Sequence, residues 1–255
     1  MNKNITPLLY LSLVYTNLYA NTEKYIYFEK LKNAYPEFIK DFSKNKIIWY
    51  DNYEMPFDDQ VSKITLREKL DNPTLMDQLS IKYKKVSEVK EYIPLLNEDP
   101  GRIRYEPFFK KMYGSNKEEV KAKLTKINWL PKSSNKILLI TKVNGIDKKV
   151  QAISDELELL PKELKSYVSN PDGAFIWRKI SKTNRISVHS FGIAIDLNVK
   201  KSHYWRWDKA KNNFSYKNNI PLEIVEIFEK NGFIWGGRWY HYDTMHFEYR
   251  PELLN

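Results

Sequence analysis

The sequence of 255 residues predicts an α+β fold. Apolar residues recur at helical spacing in residues 22–43 and 150–168, whereas residues 46–50 and 136–141 are short apolar runs typical of strands. In the C-terminal part, short strand candidates alternate with one helix. A chain of this length can bury a substantial core, either as one large domain or as two small ones.

Four segments have the pattern of helices. Residues 117–127 are predicted to be helical, and residues 150–168 form a helical pattern in which Pro161 ends one helix and starts another. Residues 221–230 begin with proline and end before Asn231-Gly232, as helix capping favours. In residues 22–43 the large apolar side chains fall near one helix face; they are Tyr25, Phe28, Leu31, Tyr35 and Phe38.

Three short strands are predicted in the C-terminal part, at residues 174–177, 192–198 and 233–235. Residues 192–198 alternate with a period of two. This alternation places Asp196 on the face opposite the isoleucines. The last strand is followed by Gly236-Gly237, which breaks it.

The charge and composition exclude several classes of protein. The net charge is +10, which indicates either a lysine-rich surface or attraction to an anionic polymer. The basic residues are scattered and form no known nucleic-acid module, so no nucleic-acid partner is predicted. The chain has no cysteine, which excludes a disulfide scaffold and a cysteine-based zinc site.

Residues 1–20 have the features of a secretory signal. Lys3 precedes a mostly apolar run over residues 5–15, and Ala20 supplies a small residue before a polar stretch. The run is too short and interrupted to span a bilayer comfortably. We therefore expect export to the periplasm or cell envelope without stable membrane insertion; an uncleaved N-terminal anchor is the alternative.

Two short stretches hold three of the four histidines and are candidates for a metal site. In the first, His189 precedes Asp196 by seven residues; in the second, Asp243 precedes His246 by three. Together they offer three ligands and one general base, the minimum for a hydrolytic zinc centre with an open position. Histidine and carboxylate ligands suit a catalytic zinc better than a closed structural one.

The backbone must bend in two places to build this site. His189 must lie on a loop that enters the strand carrying Asp196, and Gly192 permits a tight path between them. Positions 243 and 246 face opposite ways in a regular strand, so a turn or bulge is needed there. The alternatives are a loop histidine at 189, a turn aspartate at 243 and a core histidine at 246.

The other two histidines have different surroundings. His203 lies among Tyr204, Trp205 and Trp207 and is interpreted as a packing or sugar-contacting residue. His241 shares a face with Asp243 in an extended strand, so it is a possible ligand. We interpret it instead as supporting a ligand or facing the substrate.

These stretches resemble the zinc D-alanyl-D-alanine carboxypeptidase family. The pattern is Ser-x-His-x-x-Gly-x-Ala-x-Asp at residues 187–196, then Trp-Gly-Gly at 235–237, then Asp-x-x-His-Phe at 243–247. The family includes VanY-type carboxypeptidases, VanX-type dipeptidases and L-alanyl-D-glutamate endopeptidases. The resemblance covers roughly residues 170–250.

The resemblance implies a role for each residue of the motif. His189, Asp196 and His246 are expected to bind Zn²⁺. Asp243, where several relatives have Glu, is expected to be the catalytic acid and base that takes a proton from the attacking water and later protonates the departing amine.

The family also has an arginine ahead of the first zinc histidine, which holds the substrate or the developing oxyanion. Arg178 is the better match and is expected to be catalytic. Arg185 is the second candidate and is expected to bind substrate. Ser187, Trp239 and His241 complete the predicted substrate-binding set.

The fold implied by the resemblance is α+β: a small, mainly antiparallel sheet with flanking helices that carries the zinc site, of the hedgehog/D,D-peptidase type. Residues 151–255 are expected to form the catalytic domain, and residues 21–150 an added N-terminal region of unknown role. The implied function is a secreted zinc metallopeptidase that hydrolyses the peptide stems of bacterial peptidoglycan, as a D-alanyl-D-alanine carboxypeptidase. The alternatives are an L-alanyl-D-glutamate endopeptidase and a non-catalytic wall-binding module.

Overall fold

The computed structural model describes residues 23–210 and 214–255. The predicted signal at residues 1–20 lies outside the described residues. Helices and small antiparallel sheets are mixed along the chain, so the predicted α+β class is confirmed. None of the helices in the described parts of the chain has the length and apolarity needed to cross a membrane.

The first part of the N-terminal region is a helix followed by a three-stranded meander. Helix α1 covers residues 23–34. Strands β1 (Ile39–Ser43), β2 (Lys46–Trp49) and β3 (Glu54–Pro56) pair antiparallel in the order β1-β2-β3. The helical pattern predicted to extend to residue 43 is therefore wrong beyond residue 34. Pro36 explains the difference, because it has no amide hydrogen to donate and disfavours a helical residue before it.

Short helices continue the N-terminal region. They are α2 (Leu66–Asp71), α3 (Leu75–Leu79), α4 (Glu106–Tyr113) and α5 (Lys117–Ala122). The prediction of one helix over residues 117–127 is half wrong, since strand β4 (Leu124–Trp129) follows α5 directly. In β4 the buried Ile127 and Trp129 alternate with exposed residues, which is the period of a strand.

The chain then forms a hairpin and two helices. Strand β5 (Lys136–Thr141) pairs antiparallel with β4. Helices α6 (Ile146–Glu158) and α7 (Lys162–Val168) meet at Pro161, which precedes the first residue of α7 as predicted. The strand predicted at residues 174–177 is wrong: these residues have no strand pairing, and the single bridge to Asp196 is made by Gly173, just before them.

The C-terminal sheet positions the candidate site. Strands β6 (Ala194–Asp196), β7 (Phe233–Trp235) and β8 (His246–Tyr249) pair antiparallel in the order β6-β8-β7. Helix α8 (Trp205–Ala210) precedes residues 214–220, and helix α9 (Leu222–Lys230) leads into β7. The predicted helix at residues 221–230 and strand at 233–235 are confirmed.

One buried hydrophobic cluster joins the N-terminal and C-terminal parts. It runs from Phe28 to Leu253 and includes side chains from β2, α4, β4, α6, α9 and β8. Polar contacts cross the same boundary. The Tyr35 hydroxyl donates to Glu252 at 2.6 Å, and the Tyr83 hydroxyl donates to Glu229 at 2.7 Å.

Candidate metal centre and active site

The C-terminal sheet brings two of the predicted ligands side by side. In the antiparallel pair β6–β8, Asp196 is the direct partner of His246. Cross-strand partners have neighbouring side chains on one face of a sheet. This pairing converts a separation of 50 residues in sequence into a contact between His246 Nδ1 and Asp196 Oδ1 at 2.9 Å.

His189 reaches the same point from a turn that enters β6. It lies in a 3₁₀ turn over Val188–Phe191, which ends at Gly192 with φ of 67°. A Cβ at position 192 would lie 2.6 Å from Leu124 Cδ2 and would also crowd the amide of Thr141. Glycine therefore allows the left-handed backbone of the tight path that the sequence predicted, and it also allows the close approach to β5.

The three ligand candidates, His189, Asp196 and His246, converge on one small volume and are called the triad below. His189 Nε2 lies 3.2 Å from His246 Nδ1 and 3.2 Å from Asp196 Oδ2. Both histidines are nearly fully buried. Among the described residues, no other group of three or more His, Asp or Glu side chains is placed so that it could hold a metal ion.

Each histidine uses its remaining nitrogen to fix its orientation. His189 Nδ1 lies 2.7 Å from the Ala174 carbonyl, to which it donates, and this leaves Nε2 facing the site. His246 Nε2 lies 3.0 Å from Glu248 Oε2, which leaves Nδ1 facing the site. Histidines that bind metals in proteins are oriented in this way by a carbonyl or carboxylate.

The donor set fits zinc. Two neutral imidazoles and one carboxylate are ligands that zinc accepts, and three protein ligands leave a position open for catalysis. Ligands at zinc distances in a tetrahedron lie about 3.3 to 3.6 Å apart. The separations of 2.9 and 3.2 Å between the candidate ligand atoms are close to that spacing.

Hydrogen bonds and charges of neighbouring groups shift the pKa values of Asp196 and His246. Burial alone raises the pKa of Asp196, but the His189 charge and hydrogen bonds from both histidines outweigh it and hold this pKa well below its usual range. Burial lowers the pKa of His246, but hydrogen bonds to Asp196 and Glu248 outweigh burial and raise it to about 9. Asp196 is therefore available as an anionic ligand.

Asp243 lies beside this group on a turn, as its spacing from His246 required. The His246 amide donates to the Asp243 carbonyl at 3.1 Å, so residues 243–246 bend immediately before β8. Burial, then the neighbouring Asp196 charge, raises the pKa of Asp243 to about 6. Its Oδ1 is buried and has no hydrogen-bond partner among the described residues, and the side chain lines the same cleft as the triad.

The Trp-Gly-Gly stretch fixes the position of the Asp243 backbone. The Asp243 amide donates to the Gly236 carbonyl at 3.0 Å. A Cβ at position 236 would lie only 2.4 Å from the Asp243 carbonyl oxygen. Gly236 is therefore required for the close packing of the two segments.

Glu248 connects the triad to a buried ion network. It is fully buried, bonds His246, and forms ion pairs with Arg104 and with Arg250, the latter at 2.9 Å. Burial raises its pKa, but the Arg104 charge, the His246 hydrogen bond and the Arg250 charge outweigh burial and lower it well below the usual range. Glu248 therefore stays ionised and holds His246 from the side away from the other ligands.

Sequence reasoning missed Glu248 and Arg104. Glu248 had a usable signal, because residues 246 and 248 share a face in any strand that begins at His246. Arg104 had none. It lies 144 residues before Glu248, and no local sequence pattern predicts an ion pair over that separation.

The cleft around the triad contains most of the predicted substrate residues. Ser187, Arg178 and Arg185 line it together with Trp239. The Trp239 ring lies 5.5 Å from the His246 ring. Arg178 is an exposed side chain, Arg185 is half-buried, and Ser187 is buried, with its amide donating to the Arg178 carbonyl at 3.0 Å.

The structure does not bring His241 or His203 to the triad. His241 does not line the cleft: its Nδ1 lies 2.6 Å from the buried Asp99, and its ring lies 4.6 Å from the Trp205 ring. His203 is half-buried, and its backbone bonds Thr244 through both amide and carbonyl. The substrate role predicted for His241 remains a prediction.

Three ligand candidates and a buried carboxylate in one cleft are typical of a mononuclear metallohydrolase. Residues 181–249 match the sequence model of a family described as D-alanyl-D-alanine carboxypeptidase, and all four residues lie within that segment. The match confirms the predicted resemblance over this segment. No curated protein and no solved structure gives a significant match to the chain.

Proposed function

We propose that this protein is a zinc metallopeptidase that hydrolyses the peptide stems of bacterial peptidoglycan, acting as a D-alanyl-D-alanine carboxypeptidase. The proposal rests on one observation above all: His189, Asp196 and His246 converge within 4.8 Å beside a buried Asp243 that has an unpartnered oxygen. The family match over residues 181–249 supports a zinc peptidase directed at peptidoglycan.

The triad would hold the zinc ion, through His189 Nε2, His246 Nδ1 and an Asp196 carboxylate oxygen. Zinc bound there supplies Lewis-acid activation of water and of the scissile carbonyl. Glu248 and the Ala174 carbonyl orient the two imidazoles so that their ligating nitrogens face the site.

Asp243 handles the protons in this proposal. Its unpartnered Oδ1 accepts a proton from the attacking water and later gives a proton to the departing amine. A carboxyl group whose pKa is raised toward neutrality suits both transfers, and burial, then the Asp196 charge, raises the pKa of Asp243 to about 6.

Arg178 supplies positive charge to the developing oxyanion. It lines the cleft with the triad, and the side chain has no ion pair among the described residues. Preorganised positive charge near a tetrahedral oxyanion lowers the barrier to hydrolysis. Ser187 and Trp239 border the same space and are proposed to contact the substrate.

Activity on the wall requires export, which the predicted signal at residues 1–20 would direct. Residues 151–255 are proposed to contain the catalytic machinery, since every ligand candidate and Asp243 belong to them.

Mass spectrometry of muropeptides digested with the zinc-loaded protein tests the proposal. The expected product has lost its terminal D-alanine, and the Asp243→Asn variant should leave the substrate unchanged. A cut between L-alanine and D-glutamate would assign the endopeptidase activity instead. Retention on peptidoglycan with no change in any muropeptide would contradict the enzymatic proposal and favour a wall-binding module.

A further inference from the structure

The cleft around the triad has an excess of positive charge. Two carboxylates line it, Asp196 and Asp243, and both already have roles in the proposed chemistry. Against them stand five arginines from both parts of the chain: Arg102, Arg104, Arg178, Arg185 and Arg206. A bound zinc ion would add two further positive charges. Such a cleft attracts and holds an anionic group.

Three of the five arginines have other partners or roles. Arg104 is paired with Glu248. Arg206 reaches the Ser181 carbonyl at 3.5 Å and lies over the Trp205 ring. Arg178 is proposed to face the oxyanion. Arg102 and Arg185 remain: among the described carboxylates, Arg102 has one long ion pair, with Asp99 at 3.9 Å, and Arg185 has none.

Arg185 is a half-buried cation without a carboxylate partner. Its Nε is buried and makes no hydrogen bond to any described residue, and no ion pair joins it to a described carboxylate. Burial lowers the pKa of its guanidinium, and the charge of Arg104 lowers it further; the opposing effect of Asp71 is followed by smaller lowering effects from Arg102 and Arg206. Cations that are withdrawn from water in proteins are normally paired with an anion. The half-buried guanidinium of Arg185 is therefore suited to bind an anionic ligand.

Arg102 is held rigidly at the same cleft by the C-terminal part. Its Nη2 donates to the His241 carbonyl at 2.9 Å, and its guanidinium lies 4.7 Å from the centre of the Trp239 ring. Its Nε is also buried without a hydrogen-bond partner, and the nearest carboxylate oxygen, on Asp99, is 3.9 Å away. A guanidinium fixed on two sides retains donors in a set direction for a planar anion.

Both side chains border the same two adjoining spaces. One is the cleft of the triad, and the other is a neighbouring cavity with both apolar and charged lining. Its two carboxylates are Asp71 and Glu106, and Glu106 is paired with Lys110. Arg102 and Arg185 thus lie at the boundary between the two spaces.

We propose that Arg102 and Arg185 together form a carboxylate-binding subsite for the peptide substrate, with Arg102 as the contribution of the N-terminal region. The inference rests on the proposed function, since it names a substrate feature that the same cleft recognises. The substrate class is a peptide with a free carboxylate close to the scissile bond. The N-terminal region, which lies outside the family match, thereby forms one wall of the substrate site rather than a separate module.

Calorimetry on the zinc-loaded Asp243→Asn protein tests the subsite by binding and without turnover. The two probes are a peptidoglycan stem peptide with free carboxylates and the same peptide with every carboxylate converted to carboxamide. The acid form should bind about 10- to 100-fold more tightly, as expected for charge-assisted hydrogen bonds from two guanidiniums.

Variants in the same background assign the effect to the two arginines. Arg102→Gln and Arg185→Gln should each reduce the preference for the acid form by about tenfold while leaving carboxamide binding within about threefold. Arg102→Lys should recover part of the preference, because it keeps the charge but not the guanidinium fork. Lys126→Gln, which removes an exposed cation on β4 outside both spaces, should leave the preference intact.

Equal binding of the acid and carboxamide peptides by the parent protein would overturn the subsite. So would an equal loss of both peptides in Arg102→Gln, because that result assigns Arg102 a purely structural role beside Trp239. Failure of the proposed function has a different signature: the zinc-loaded wild-type protein would leave every muropeptide intact, whatever the binding preference.

Discussion

The two parts of the molecule contribute to the site in different ways. Residues 181–249 supply the three candidate ligands and Asp243, and their motifs match a known family. Residues 98–104 of the N-terminal region lie outside the matched segment, yet they pack directly against it. The Glu98 carbonyl accepts from the Tyr240 amide at 2.9 Å, Asp99 bonds His241, and Arg104 pairs with Glu248.

The proposed reacting groups lie in the matched segment, whereas some of the residues that hold this segment in place, such as Asp99 and Arg104, lie in the N-terminal region. All of the proposed reacting groups come from two short stretches that the pairing of β6 with β8 brings together. Two of the supporting charges are distant in sequence: Asp99 lies 142 residues before His241, and Arg104 lies 144 residues before Glu248, so only the tertiary fold joins them. Substitutions in the two parts should therefore have effects of different kind and size.

The largest effect is expected from His189→Ala. Removal of a ligand leaves two donors, too few for a catalytic zinc site, so zinc content and peptidase activity should both fall to background. Elemental analysis of the purified variant measures the zinc. His203→Ala, a histidine outside the triad, should retain zinc; equal zinc loss in both variants would contradict the assignment of the ligands.

The second largest effect, on the rate of peptide cleavage, is expected from Asp243→Asn. Loss of a general acid and base typically costs about 10²- to 10⁴-fold in rate. Because Asp243 is not a proposed ligand, zinc content should stay near that of the unchanged protein. Steady-state kinetics together with zinc analysis decides the matter, and loss of zinc in step with activity would reassign Asp243 as a ligand.

Arg104→Gln changes a residue of the N-terminal region that pairs with Glu248 in the C-terminal part. Its removal leaves Glu248 with less compensating charge, which should disturb the orientation of His246. Changes of this kind typically weaken metal affinity by about 10- to 100-fold. Competition with a zinc chelator measures the affinity, and Glu248→Gln should show a loss in the same range.

A control substitution at another ion pair of the N-terminal region tests whether the loss of zinc affinity is specific to Arg104. Lys46 and Glu54 form an exposed ion pair on the N-terminal meander, so Lys46→Gln should leave zinc affinity unchanged. If Arg104→Gln behaves like this control, the N-terminal region does not support the metal site.

The smallest effect is expected from Tyr35→Phe. The buried Tyr35 hydroxyl donates to Glu252, which keeps its ion pair with Arg250 at 2.6 Å. Loss of one hydrogen bond to a charged group should lower the free energy of unfolding by about 1 to 3 kcal/mol, with zinc content unchanged. Urea denaturation measures this; Tyr50→Phe, at a side chain that is 59% exposed, should be neutral.

The sequence predicted the ligand candidates because their chemistry is rare and local. Four histidines in the whole chain make a pair of histidine-aspartate stretches conspicuous, and Gly192 announces the turn that joins His189 to β6. The helix at residues 221–230 was predictable from its proline and glycine boundaries. Each of these signals lies within ten residues of the feature it predicts.

Other elements depended on interactions that a local pattern does not contain. The apolar residues of 22–43 fit a helix, but Pro36 and the pairing of β1 with β2 override that spacing. Residues 124–127 become a strand because β5 pairs with them. The roles of Arg102 and Arg104 could not be predicted from local sequence, because their partners Trp239 and Glu248 lie in the other part of the chain.

The central claim is that one zinc ion on His189, Asp196 and His246 drives hydrolysis of the peptide stem. The most direct test is to remove metal with a chelator and titrate zinc back while the rate of stem-peptide cleavage is followed. The rate should begin at background and reach its maximum at one zinc per chain. Full activity in the chelator-treated protein would contradict the account.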